Sequence, residues 1–204
     1  MARPSVPTRR ADILLAARDV FNARGFAGTR MDDIARSAGL SKAALYLQFA
    51  SKQALFEAMV EELIEAMLPR AVPADFGDLP AGQILRNFIQ FMSARVMASD
   101  LAFLPRVIIG EGANFPELAK FYHSHVISRG MTILERIVRH GIERGEFACA
   151  DIGQACRTII GGVLIGAIWK TTFEPVGAEA LAPEAVAAAH ADTVLHGLLI
   201  RSTP

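Results

Sequence analysis

Cysteine is nearly absent from this chain of 204 residues, with Cys149 and Cys156 the only two. They cannot make a CxxC pair, which leaves no metal ribbon or dithiol redox motif. A disulfide framework is an unusual way to hold a chain that is 52% hydrophobic. Both are read as ordinary buried thiols, with a redox pair across a helix start as the alternative. A long apolar run is missing too. The longest, 159–169, is eleven residues counting its glycines, against roughly 20 for a bilayer-spanning helix. The first seven residues carry one Arg and two Pro but no apolar segment followed by a small-residue cleavage site, so no secretory signal is read. No membrane partner and a cytoplasmic location are expected.

Catalytic motifs are equally scarce. His123 and His125 would point to different sides of a helix, His190 and His196 do not share a helical face, and no HExxH occurs. Gly161, Gly162 and Gly166 sit inside an apolar helix with no strand before it, so they are no nucleotide-binding loop. Neither enzymatic activity, nor a metal, nor a cofactor is expected.

There is no net charge either, with 21 basic and 21 acidic residues, but the two signs are unevenly spread. Residues 1–55 hold nine Lys/Arg against four Asp, a net +5 that the remaining chain must balance. A basic head on an acidic body points to a polyanion at one end only.

What is present is helical periodicity. Ile13, Leu14, Ala17, Val20 and Phe21 give an amphipathic helix over residues 8–24, ended by Gly25. Thr29, with Asp32 and Asp33 behind it, reads as the cap of a short second helix running to Ala38. Gly39 breaks that helix, and Ser41 caps a third of barely two turns before Phe49 and a further cap at Ser51. Two short helices around a glycine turn have the geometry of a helix-turn-helix, whose second helix enters the major groove. Ile34, Ala35, Ala38, Leu40, Leu45 and Phe49 can pack inward against Phe21, leaving Arg30, Ser41, Lys42, Tyr46, Gln48 and Lys52 on the polar side.

The anchors Phe21, Gly25, Thr29, Ile34-Ala35, Ala38-Gly39-Leu40-Ser41, Leu45-Tyr46, Phe49, Lys52 and Leu55 resemble the DNA-binding domain of the tetracycline-repressor (TetR) family. Gln48 departs from the His or Tyr usual there. The resemblance implies an all-α fold of about nine helices, with an N-terminal three-helix DNA-binding domain and a larger helical domain. Residues 8–68 would bind DNA, with the helix-turn-helix proper at 31–50, and residues 69–204 would bind an effector and dimerise. Ser41, Lys42, Ala43 and Ala44 would open the recognition helix. Lys42 is the candidate for a guanine edge or phosphate, and the alanine methyls for thymine. Tyr46, Gln48 and Lys52 would hold phosphates, and Thr29, Arg30 and Met31 the flanking backbone. The Arg3-containing arm is expected to be a disordered tail.

From Ser51 a fourth helix continues through Met67, and prolines at 69, 73 and 80 mark a loop over 68–82. Further helices follow at 84–96 and 101–112, a long one from Phe115-Pro116 to Gly141, another from Asp151 and a last from Pro183 to Ile200. The Asp151 helix is apolar on every side from Ile159 to Trp169 and must be covered all round. Gly162, Gly166, Ala188, Ala191, Leu195 and Leu198 are the candidate residues of a four-helix interface between two copies. Similarity to the family implies a homodimer reading two half-sites of a near-palindromic operator, roughly 34–36 Å apart. The run Arg106 to Leu118 resembles the AefR-like C-terminal class of efflux and stress regulators. The family also implies a pocket for a small hydrophobic or aromatic effector. Its candidate lining is Phe88, Phe91, Met92, Phe103, Ile109, Phe121, Tyr122, His125 and Trp169, although core packing accounts for most of these equally well. Arg106, Glu111 and His125 are candidate polar anchors, the first two more plausibly surface ion pairs. The function expected is a ligand-released repressor; the alternative is an effector-independent DNA-architectural or protein-interaction factor on the same fold.

Overall fold

Apolar side chains recurring every three to four residues predict helices throughout, and the computed structural model of the protein, which describes residues 10–67, 75–98 and 101–199, is helical throughout. The arm with Arg3 and residues 68–74 of the expected loop lie outside the described residues. The first helices are α1 (Arg10–Arg24), α2 (Met31–Ser37), α3 (Lys42–Gln48) and α4 (Lys52–Met67). They are followed by α5 (Ala81–Ala98), α6 (Phe103–Glu111), α7 (Pro116–Tyr122), α8 (Ser128–Glu143), α9 (Ile152–Ile168) and α10 (Pro183–Leu198). A π-helical turn, His123–Ile127, stands between α7 and α8, so the long helix expected from Phe115-Pro116 is built in three stretches. Among the described residues there is no strand, only an isolated antiparallel bridge between Phe147 and Leu199.

The chain divides into two compact units. The first joins the described residues up to Met67 to Val107–Tyr122; the second holds the remainder. A single cut after residue 68 therefore does not separate them, because α6 passes from the second unit into the first at Val107.

The first unit is built on phenylalanine. Phe21 of α1 stacks on Phe26 with centroids 5.9 Å apart, and Phe56 of α4 meets both edge-on at 5.1 and 5.5 Å. Phe115, just before α7, closes on Phe26 at 4.9 Å. Ile34 and Ala35 of α2, Leu45 of α3 and Leu55 and Met59 of α4 complete a buried core. Ser41 caps α3, its Oγ accepting from the Ala44 N–H at 3.2 Å. The expected cap at Thr29 is corrected: Arg30 is the N-cap of α2, with no side-chain bond, because the Thr29 hydroxyl donates back to the Gly25 carbonyl at 2.6 Å.

The second unit centres on α5, whose Leu85, Phe88, Ile89, Met92 and Met97 are buried. Helix α10 packs along it and buries Ala191, Leu195 and Leu198. Helix α9 contributes Cys156, Ile159, Val163 and Ala167. Both cysteines are free, and burial pushes the Cys156 thiol up to about 11, so it is protonated at neutral pH. By length and composition alone, Ile152–Val176 is apolar enough to cross a membrane, which counting uninterrupted residues did not anticipate. Averaged hydropathy tolerates the polar residues that interrupt the run, and the core helix of a soluble protein passes the same test.

A carboxylate joins two distant parts of this unit. Glu146, in the turn after α8, accepts from the Ala81 and Gly82 amides at 2.7 and 3.4 Å, and so caps α5. The bond from Arg144 Nε at 2.7 Å, with help from those amides, holds its carboxyl below the ordinary range. A group more acidic folded than unfolded stabilises fully above its unfolded pKa, and that contribution is lost as pH falls through the native one. Glu146→Gln is therefore expected to lower the Tm at pH 7 by roughly 2–4 °C. The gap to the parent should close in melts below the ordinary carboxylate range. A gap that persists unchanged into acid would mean that the charge plays no part.

Candidate nucleic-acid interface

Helix α3 is two turns long and buries only Leu45 fully. Phe49, just past its end, is buried as well, with the Arg10 guanidinium 4.8 Å over its ring. The helix is thereby pinned by one edge, and Ser41, Lys42, Ala43, Tyr46, Leu47 and Gln48 are left exposed, with Ala44 half-buried. Lys42 is engaged: its Nζ lies 2.9 Å from Asp32 Oδ1 and 3.1 Å from Oδ2 in the first turn of α2, and 6.0 Å over the Tyr46 ring. The hydrogen bond and charge of Asp32 raise the pKa of the ammonium. Asp33 is held in the same way by Arg24 at 2.8 Å and Arg36 at 3.3 Å.

Three of the expected DNA contacts are corrected. Thr29 and Met31 are 2% and 7% exposed: the threonine closes the turn after α1, and the methionine side chain belongs to the core. Lys52 is engaged within the chain, its ammonium donating to the Phe26 carbonyl at 2.5 Å, to Thr29 at 2.9 Å and to Ala27 at 3.5 Å. An ammonium has three donors, and all are used. The same group stands 4.4 Å over the Phe26 ring, and burial lowers its pKa against the pull of Glu111. Arg30, by contrast, is exposed.

Sequence reasoning missed Leu47, which is 87% exposed. At 100° per residue it lies on the side of α3 opposite Leu45 and Phe49, so an apolar residue on the outward face was there to be noticed. Glu111 was also misread. Instead of pairing with a surface cation, it accepts from the Phe26 N–H at 3.0 Å and the Ala27 N–H at 2.5 Å.

The candidate effector lining is divided. Phe88, Phe91, Met92, Phe103, His125 and Trp169 belong to the second unit, whereas Ile109, Phe121 and Tyr122 belong to the first. Phe88, Met92 and Phe103 are buried and Phe91 is half-buried, with the Arg95 guanidinium 5.7 Å from its ring. Trp169 donates from Nε1 to the Glu179 carbonyl at 2.8 Å and leans on Phe173. Desolvation pushes the Tyr122 phenol above its usual range. Ile109, 63% exposed, and His125, exposed and 2.9 Å from the Ser124 hydroxyl, are corrected: neither faces an interior.

The candidate interface residues are likewise placed inside one chain. A β-carbon at Gly162 would overlap the His190 ring of α10, whose Nε2 lies 2.7 Å from the Ile159 carbonyl, and one at Gly166 would overlap the Met97 side chain of α5. Ala191, Leu195 and Leu198 are buried in the same way and Ala188 is half-buried. These glycines admit the chain's own side chains, not a partner helix.

Residues 13–59 match the bacterial regulatory proteins of the tetR family, and residues 83–196 match the C-terminal domain of AefR-like transcriptional repressors. The HTH-type transcriptional regulator RutR of Escherichia coli (strain K12) is 39% identical over 79 residues, which is 38% of this chain and 37% of RutR. The matched stretch thus spans little over a third of that relative. A transcriptional regulator from Saccharomonospora viridis, solved with choline, superimposes with a TM-score of 0.78 at 18% identity over 94% of this chain and 98% of the other. The regulator FadR from Bacillus subtilis, solved with stearoyl-CoA, gives 0.72 at 19% over 93% and 99%. These likenesses show a shared fold, and the relatives are transcriptional regulators, which are not enzymes. Because the second match alone takes in more than half of its 204 residues, the chain belongs to the TetR family of transcriptional regulators, with a C-terminal domain of the AefR-like class.

Proposed function

We propose that this protein is a cytoplasmic, homodimeric repressor that binds a near-palindromic operator and leaves it when a small hydrophobic or aromatic effector binds residues 69–204. The carrying observation is the outward face of α3, where Lys42, Ala43, Tyr46, Leu47 and Gln48 stand exposed around a single buried anchor. Lys42 is suited to a guanine edge and, like Tyr46, Gln48 and Arg30, to phosphate oxygens. Its attachment to Asp32 is open to exchange, because both partners are exposed and surface pairs contribute little. Ala43, Ala44 and Leu47 offer apolar surface with one counterpart in a major groove, the thymine methyl. The effector reading draws on the aromatic and methionine side chains of the second unit, and on the ligands of the fold neighbours above, one with choline and one with stearoyl-CoA. Dimerisation draws on α9. Within the chain Ile165 is 56% exposed, Ile160, Leu164 and Ile168 are half-buried, and a β-carbon at Gly161 would meet open space. An apolar face of that extent calls for cover by a second copy.

A duplex selected from a random pool by the purified chain tests the DNA reading in a gel-shift titration. Lys42→Ala should cost roughly 1–3 kcal/mol of binding. Replacing thymine by deoxyuridine removes only the methyl, and should weaken the parent by about 0.8 kcal/mol per contacted methyl, roughly fourfold, while leaving Leu47→Ala indifferent. If parent and variant lose equally on deoxyuridine, Leu47 reads nothing. Adding a panel of hydrophobic and aromatic compounds to the same complex tests release; binding that none of them disturbs would favour the effector-independent reading.

For the interface, Ile165→Glu should convert a two-chain species into a one-chain species in sedimentation analysis without loss of helical signal. An unchanged sedimentation coefficient would place the interface elsewhere.

A further inference from the structure

Glu111 is 84 residues from Ala27 in sequence and lies within the stretch that matches the C-terminal domain, yet it folds with the DNA-binding unit. Its carboxylate holds the turn between α1 and α2 from one side while Lys52 holds it from the other. The two grip the same peptide group: the Phe26 carbonyl accepts from the Lys52 ammonium at 2.5 Å, and the Ala27 N–H donates to Glu111 Oε2 at 2.5 Å. One amide dipole is thus aligned between a cation and an anion, and charge-assisted bonds of this kind are about twice as strong as neutral ones. The backbone is shaped to admit the carboxylate. Gly25 takes φ +69°, and a β-carbon there would overlap Glu111 Oε1. Phe115, four residues after Glu111, packs edge-on against Phe26, so ring and carboxylate seat on one turn.

That turn leads directly into the start of α2. Thr29, whose carbonyl also accepts from Lys52, precedes Arg30, the exposed N-cap, and Asp32 of the first turn is what Lys42 of α3 pairs with. We propose that Glu111 is a positioning residue for DNA binding: through the polarised Phe26–Ala27 peptide it sets the start of α2, and with it Arg30 and the Asp32–Lys42 pair, in the register that a duplex requires. This rests on the DNA-binding reading above and adds to it a residue from outside the helix-turn-helix.

The test uses the full chain and the selected duplex. Glu111→Ala should weaken binding about tenfold with the order of base preferences unchanged, the pattern of lost backbone positioning. Glu111→Gln, which keeps one acceptor oxygen, should recover most of the loss. Lys52→Met should lose as much, and the double variant no more than either alone, because both act through one peptide. A purely structural role would lower the Tm and leave affinity measured well below it intact; equal affinity of Glu111→Ala and parent overturns the proposal. Amide hydrogen exchange at Phe26 and Ala27, measured without DNA, probes the clamp directly. Faster exchange in Glu111→Ala supports it, and unchanged exchange refutes it. If the parent binds no duplex, the DNA-binding reading falls and the positioning role falls with it, while the exchange result still reports separately whether Glu111 holds the turn.

Discussion

A helix of seven residues has no stability of its own in water, because nucleation costs more than so few hydrogen bonds return. Both α2 and α3 are of that length. Their existence and their direction depend on the surface that they are packed upon, which is the phenylalanine cluster and the aliphatic side chains around it. Edge-to-face contacts add roughly 0.5–1.5 kcal/mol each beyond the area they bury. More to the point, they have a preferred geometry, so the rings of Phe21, Phe26 and Phe56 fix angles as well as distances. The exposed face of α3 can consist almost wholly of residues chosen for something other than folding, since Leu45 and the neighbouring Phe49 suffice to seat it.

The second unit solves a different problem. Its helices α5, α8, α9 and α10 are longer, at 16–18 residues, and they must approach one another closely. Glycine is used for that at Gly141, Gly162 and Gly166, where the facing atoms are the Phe147 ring, the His190 ring and the Met97 thioether. Each sets a missing side chain on one helix against a large one from elsewhere in the unit, which is how a close-packed interior is filled without voids. A small-residue stripe thus records close approach without saying to what.

That ambiguity marks the limit of what the sequence made legible. Helix positions, the glycine breaks at 25 and 39 and the Ser41 cap follow from local rules and stand in the structure. The regular period of α9 and α10 was equally readable, but not whether Gly162 faced its own chain or another, because periodicity gives a face and not a partner. Thr29, Met31 and Lys52 fit a DNA-contact pattern by type and spacing, yet long-range contacts claim them for the turn and the core. Glu111 could not be found locally at all, its partners being backbone amides that any residue supplies. Leu47 was within reach of the helical wheel, and went unseen because apolar residues are habitually assigned inward.

The first unit is discontinuous in the chain, and this bears on the order in which the protein comes into being. Synthesis delivers Met67 well before Val107, and at about 5–20 residues per second the interval between them is roughly 2–8 s. Throughout that interval Phe26 has Phe21 and Phe56 but not Phe115, and the amides of Phe26 and Ala27 have no carboxylate. A nascent chain released or cleaved at this stage carries a complete helix-turn-helix sequence with an unfinished turn beneath it. Completion of the head thus waits until the segment through Tyr122 has emerged.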